Sequence, residues 1–205
     1  MSNENIQLVS FVLDNSASVS KEKLSALMGG FRRLAAEGEK YPGMEWELIC
    51  YDGFAPAVIK SFHSAEILPV RAGRMPLLER AMQSAAARLV ARAEELEKEG
   101  KEPYRPWLFV LSDGFTFDDP AAVATELDTW EKAGKILYLP FRLSQKLYNE
   151  RMQALDRVKH MITVKEGGIE SFFGFFAELL ARRAQAGEEG ALKFRKNDFE
   201  GWAEL

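Results

Sequence analysis

Short apolar runs alternate with longer amphipathic stretches along most of the chain. The runs at 6–13, 107–112 and 136–140 are rich in β-branched and aromatic residues, which is typical of strands covered on both faces. Between such runs, apolar residues recur at spacings of three and four, as in 20–36, which predicts helices with one buried face. This alternation predicts an α/β fold built on a mainly parallel sheet.

The remaining elements follow the same pattern. Helices are predicted at 20–36, 76–99, 120–133, 148–157 and 171–185, and further strands at 45–51, 57–62 and 161–164. Pro76 is placed in the first turn of its helix, where proline is favoured. The strands on either side of Asp52-Gly53 are expected to form a hairpin. The predicted fold is therefore doubly wound: a mainly parallel central sheet with one antiparallel edge strand and helices on both faces.

A change of pattern divides the chain near residue 187. Residues 1–186 are predicted to form a single domain. In the tail, 187–205, charges are interleaved with Phe194, Phe199 and Trp202, and no periodicity persists. The tail is expected either to pack on the domain or to bind another chain.

Composition narrows the class of protein. The 205 residues carry a net charge of −4, and their 27 Lys and Arg side chains are scattered, which argues against nucleic acid or a membrane as partner. Cys50 is the single cysteine and excludes both an intramolecular disulfide and a zinc knuckle. No stretch reaches the roughly 18 consecutive apolar residues of a membrane helix. We expect a soluble, cytoplasmic protein.

Oxygen-bearing side chains stand where two of the predicted strands end. The first strand ends in Asp14, and Ser16 and Ser18 follow at every second position; Asp113 ends the strand at 107–112. Carboxyl ends of parallel strands share one edge of the sheet, so these four residues predict an all-oxygen site suited to Mg²⁺ or Mn²⁺. The same loop also fits a turn that leads into a capped helix, and the two interpretations do not exclude each other.

These motifs resemble those of von Willebrand factor A (vWA) domains. Asp14-Asn15-Ser16-Ala17-Ser18 matches the DxSxS signature, and Ser112-Asp113-Gly114 is similar to the later TDG or SDG element; the element order fits from about 6 to 185. The resemblance implies a Rossmann-like fold and a metal-ion-dependent adhesion site. There Ser16 and Ser18 would hold the metal directly, Asp14 directly or through water, and Asp113 mainly through bridging waters. It also implies a non-enzymatic role in protein binding and complex assembly.

Within the family, the chain looks most like bacterial members associated with tellurite resistance. The aromatic, proline-containing approach at 104–107 and the acidic loop at 117–119 carry this narrower resemblance. The wider family resemblance implies a protein partner that offers an Asp or Glu to the metal, if a metal is held. The narrower resemblance implies kinase- or phosphatase-like partners in a tellurite-resistance or stress-response system.

One position departs from the family pattern. The stretch at 72–77 places Met75 where the family has a threonine ligand, next to Arg74. A thioether is a poor ligand for Mg²⁺, and an adjacent guanidinium disfavours a dication, so metal binding is expected to be weak or absent. Arg74 and Met75, with Phe115, Thr116 and Phe117 of the second loop, are the predicted partner-binding residues.

Two alternatives stay open. The first is a vWA-like scaffold that binds its partner without metal, through shape and apolar contacts. The second is a metal-dependent phosphoryl-transfer enzyme. Ser16 stands where a phosphatase of the haloacid-dehalogenase type would carry a second aspartate, and no GxxxxGK[ST] loop occurs. The sequence therefore favours a non-enzymatic protein.

Overall fold

A computed structural model describes residues 5–41, 43–51, 53, 55–70, 73, 75–145, 148–191, 194 and 196–204. The strands in this part of the chain are β1 (Gln7–Asp14), β2 (Met44–Tyr51), β3 (Ala57–Lys60), β4 (Trp107–Ser112), β5 (Leu137–Arg142), β6 (Ile162–Val164) and β7 (Ala203–Glu204). The α-helices are α1 (Lys21–Ala36), α2 (Leu78–Lys98), α3 (Ala121–Lys132), α4 (Glu150–Val158) and α5 (Ile169–Ala191). Short 3₁₀ turns occupy Gly38–Lys40 and Lys196–Asp198.

The strands form one sheet in the order β3-β2-β1-β4-β5-β6-β7. The five central strands run parallel, and β3 is antiparallel to β2 at one edge, which confirms the predicted fold class. A second antiparallel edge strand, β7, pairs with β6 at the other edge and was not predicted. The strand order reverses between β1 and β4, so their carboxyl ends flank the switch point where ligands bind in such sheets.

Helices cover both faces of the sheet, as predicted. On one face, α1 and α5 enclose an aromatic cluster in which the Phe11 ring contacts Phe31, Phe109 and Phe176 at centroid distances of 5.0–5.4 Å. On the other face, α2, α3 and α4 pack on aliphatic side chains of β1 and β4. Within the described residues, no helix is both long and apolar enough to cross a bilayer.

The C-terminal tail packs against the domain. Trp202 is 8% exposed, and its ring lies 5.6 Å from that of Phe175 on α5. The carbonyl of Trp202 accepts a hydrogen bond from the Lys165 amide, and a Cβ on Gly168 would lie 2.6 Å from that same carbonyl oxygen. Gly168 therefore leaves the space that the returning chain needs beside β6.

Two element boundaries differ from the predictions. Pro76 precedes α2 instead of occupying its first turn, and its carbonyl accepts a hydrogen bond from the Phe117 amide. The last helix begins at Ile169 and continues to Ala191, beyond the predicted 185. For Pro76 the boundary coincides with a contact to a distant residue, which local periodicity does not report.

Candidate functional site

The switch point brings Asp14 and Asp113 together. Asp14 is the last residue of β1 and is fully buried, and Asp113 follows β4 directly with 2% of its surface exposed. The Asp113 amide donates to Asp14 Oδ2 at 3.3 Å, across 99 residues of sequence. The two strand ends thus place two carboxyl groups side by side in the interior.

The serines extend this pair toward the surface. Asp14 Oδ1 accepts the Ser16 amide at 2.9 Å, and the hydroxyls of Ser16 and Ser18 lie 2.7 Å apart. Ser16 is buried, whereas Ser18 is exposed at the mouth of the site. Ser20 caps α1 by accepting the Lys23 amide, so the turn and the oxygen cluster coexist in one loop.

Burial dominates the electrostatics of Asp14. Burial raises the pKa of Asp14 from 3.8 to about 8, and the adjacent Asp113 adds to the rise, while hydrogen bonds from Ser16 oppose it. Asp113 Oδ1 accepts the Phe115 amide at 3.0 Å, but Asp113 Oδ2 is buried and has no hydrogen-bond partner in the described part of the chain. Two buried carboxyl groups this close require a proton or a cation between them.

These oxygens fit a small divalent cation. Asp113 Oδ2 accepts no hydrogen bond within the described residues. The hydroxyls of Ser16 and Ser18 are neutral ligands, which Mg²⁺ and Mn²⁺ accept along with water. No group of three or more His, Cys, Asp or Glu side chains gathers among the residues that the structure describes. A cation here would therefore depend on serine and water oxygens to complete its coordination.

Gly73, in the stretch where the family would have a threonine ligand, lies against the Asp14–Ser18 motif. Gly73 pairs with Ser16: its carbonyl accepts the Ala17 amide at 2.9 Å and its amide donates to the Asn15 carbonyl at 3.1 Å. Met75, two residues further on, is 39% exposed. The predicted partner-binding residue Arg74 lies outside the described residues.

Thr116 is held away from the surface. Its side chain is fully buried, and its hydroxyl lies 3.2 Å from the Pro76 carbonyl and 2.5 Å from Asp118 Oδ1. Asp118 in turn accepts the amides of Leu78 and Glu79, both at 2.9 Å, and so caps α2 from a separate loop. The Thr116 side chain thus anchors the loop to α2, and its contact with a partner stays a prediction.

The other residues of the second loop form an apolar surface beside the carboxylates. The rings of Phe115 and Phe117 meet edge to face at 5.0 Å, and Phe117 is 44% exposed. The Phe117 amide donates to the carbonyl of Pro76, which brings the loop next to Met75. We call Met75, Phe115 and Phe117 the apolar rim of the site.

A cleft of about 490 Å³ opens on the other side of Asp113. Its walls include Ser18, Lys23, Gln145 and Glu166, and Lys23 is tied in place by donating to the Leu143 carbonyl at 2.8 Å. Asp113 thus lines a cleft whose walls also carry the apolar side chains of Val19, Leu143 and Val164.

Two residues near the site, Tyr51 and Asp118, were not predicted from the sequence. Tyr51 pairs with Asp14 in the register of β1 and β2, and its phenol is buried. Burial, with the nearby charge of Asp14, raises the pKa of Tyr51 well above its usual range. Asp118 was noted only as part of an acidic loop. Tyr51 could have been found because it ends the second predicted strand, as Asp14 ends the first. The residues around Asp118 do not indicate which helix it caps.

Comparison with known proteins rests on structure alone, because no family model and no curated protein matches the sequence. The VWA domain of SpRpn10 is 15% identical, with a TM-score of 0.51 over 75% of this chain and 82% of that one. The chain has a vWA-like fold.

Two further solved structures are similar to this chain. Proximal thread matrix protein 1 from the mussel byssus is 12% identical over 86% of this chain, with a TM-score of 0.58, and this chain spans about half of it (48%). Manganese-loaded Plasmodium vivax TRAP protein is 11% identical, with a TM-score of 0.50 over 76% of this chain and 63% of that one. At such identities the likeness establishes the fold, and the tellurite-resistance subgroup stays a prediction.

Proposed function

We propose that this chain is a non-enzymatic protein-binding module whose docking face centres on a divalent cation, Mg²⁺ or Mn²⁺. The observation that carries the proposal is the uncommitted, buried Asp113 Oδ2 beside the carboxyl group of Asp14. A buried anionic oxygen without a donor is costly unless a cation or a proton compensates it. The manganese-loaded state of one structure with the same fold adds support.

The roles of the residues follow from their positions. Asp14, Ser16 and Ser18 would hold the cation, and Asp113 would act mainly through bridging waters. When bound, the cation supplies a positive centre that accepts an Asp or Glu carboxylate from a partner protein. The apolar rim of Met75, Phe115 and Phe117 would cover the adjoining surface of that partner, and the missing threonine ligand keeps the affinity for metal low.

A second candidate is a vWA-like scaffold that docks without metal. The exposed Met75 and Phe117 favour it, because they place apolar surface where the family resemblance leads us to expect a polar ligand. An enzymatic role has less support. His63 and His160 are both exposed and lie 3.7 and 3.3 Å from Glu95 and Asp156, so neither is engaged with the Asp14 site.

The biological setting is part of the proposal. The approach at 104–107 and the loop at 117–119 favour the bacterial, tellurite-resistance type of vWA protein, with kinase- or phosphatase-like partners in the cytoplasm. Net charge and the scattered basic residues argue against nucleic acid or membrane as the partner.

Calorimetric titration of Mg²⁺ and then Mn²⁺ into chelator-treated protein tests the proposal. We expect a saturable signal that Asp14→Asn abolishes. The matched control is Asp119→Asn, because Asp119 is a carboxylate of the second loop that accepts a hydrogen bond from the Ala121 amide. No signal up to millimolar metal would reject the cation centre. The metal-free scaffold would then be tested by comparing partner capture by the wild type and by Phe117→Ser.

A further inference from the structure

Three side chains lie in a row across the sheet at its carboxyl edge. Asp14 pairs with Tyr51 of β2, and on its other side lies Ser112 of β4, one residue beyond the pair formed by Leu13 and Leu111. Side chains in register on neighbouring parallel strands point to the same face of a sheet. Asp14 therefore lies between a phenol and a hydroxyl.

The phenol of Tyr51 is fully enclosed beside the Asp14 carboxyl and the Ser112 hydroxyl. It is 1% exposed, and its hydroxyl makes no hydrogen bond of normal geometry with any residue that the structure describes. The polar groups that it faces are the Asp14 carboxyl and the Ser112 hydroxyl, and the latter already accepts the Gly114 amide at 3.2 Å.

A buried hydroxyl without a hydrogen bond is costly, and phenylalanine would fill the same space without that cost. The hydroxyl therefore needs an acceptor, and its interaction with the Asp14 carboxyl, which contributes to the raised pKa of Tyr51, identifies one. Asp14 has the capacity to be that acceptor. A carboxylate offers about four acceptor positions, and the amides of Ser16 and Asp113 take two of those on Asp14.

We propose that Tyr51 is a positioning residue of the cation site: its hydroxyl donates to the Asp14 carboxylate and fixes the orientation of that group toward the cation. The proposal rests on the cation centre proposed above. Groups that hold a metal-ligating carboxylate from behind typically change metal affinity by 10- to 100-fold when they are removed. Tyr51 would supply this support without touching the metal.

The chain offers a matched control in Tyr138. This tyrosine of β5 is also fully buried, and its hydroxyl likewise has no hydrogen-bond partner among the described residues. Its surroundings are Asp128 and Glu131 of α3, remote from the oxygen cluster. Tyr138→Phe therefore repeats the chemical change of Tyr51→Phe away from the site.

The test compares wild type, Tyr51→Phe and Tyr138→Phe in three measurements: calorimetric titration with Mn²⁺, thermal melting in chelator, and the tyrosine ultraviolet difference spectrum on adding Mn²⁺. We expect Tyr51→Phe to bind Mn²⁺ about tenfold more weakly or worse, to melt no lower than wild type, and to lose the difference signal. Tyr138→Phe should match wild type in binding and in the difference signal.

Each contrary result has a distinct meaning. Equal Mn²⁺ affinity of Tyr51→Phe and wild type would overturn the role of Tyr51 and leave the cation centre standing. A lower melting temperature of Tyr51→Phe in chelator would show a structural role and also overturn the proposal. Absence of binding by the wild type would reject the cation centre, and the inference about Tyr51 with it.

Discussion

Asp14 makes the stability of the cation-free protein depend on pH between 6 and 8. Burial, then the neighbouring charge of Asp113, raises the pKa of this carboxyl group from 3.8 to about 8 in the folded protein. Over this range the folded chain keeps a proton that the unfolded chain has released. Stability therefore falls as the pH rises, because the unfolded state binds fewer protons than the folded state.

The size of the effect follows from the two pKa values. Each pH unit between them removes about 1.4 kcal/mol from the free energy of unfolding, and the loss levels off near the folded-state pKa. From pH 6 to pH 8 the expected loss from Asp14 is about 2 kcal/mol. A bound divalent cation would replace the proton, so saturating Mg²⁺ should reduce the loss at pH 8.

Urea denaturation followed by circular dichroism measures this loss. Wild type and Asp14→Asn are unfolded in chelator at pH 6, 7 and 8, and the difference between their unfolding free energies isolates the carboxyl group from other titrating residues such as Lys60. The wild type should lose about 2 kcal/mol relative to the variant across this range. Parallel stability curves for the two proteins would refute the argument, because they would show that Asp14 is already ionised at pH 6.

Two further substitutions, the first with a control, test how α1 packs against α5 and how α2 is capped. Gly30→Ala should destabilise the fold by about 1–3 kcal/mol in urea denaturation, because its Cβ would lie 2.0 Å from the Phe173 ring. The control is Gly29→Ala, whose Cβ would have no neighbour nearer than 3.9 Å and which should be neutral or stabilise by up to about 1 kcal/mol. Equal effects of the two substitutions would contradict the packing argument. Asp118→Ala should cost about 1–2 kcal/mol by removing the cap of α2, whereas an unchanged midpoint would show that the amides of Leu78 and Glu79 find other acceptors.

Local sequence patterns predicted most of the elements and the fold class. β1 and β4 are apolar because both faces of these central strands are covered, and their composition records that burial directly. The loop from Asp14 to Ser20 was also predictable, since its turn chemistry and oxygen-rich pattern are properties of neighbouring residues. Asp14 and Asp113 stand at the ends of β1 and β4, where the sequence pattern places them.

Tertiary structure alone decided which of these groups meet. The contact between Asp14 and Asp113 spans 99 residues and depends on β1 lying beside β4. Thr116 is polar and close in sequence to an exposed phenylalanine, yet its hydroxyl is buried because it anchors a loop to α2. The tail has no periodicity, so its sequence does not indicate that the Trp202 ring packs on Phe175 of α5 or that its carbonyl accepts the Lys165 amide after β6.

The register of β1 and β2 adds Tyr51 to the site in the same way. Periodicity reports which face of an element is buried, because burial acts on each residue through its own polarity. It does not report which distant residue lies opposite, because strand register and helix docking are set by packing summed over the whole core. The sequence by itself thus determined the elements and the chemistry available at the strand ends, and the assembled sheet determined the site.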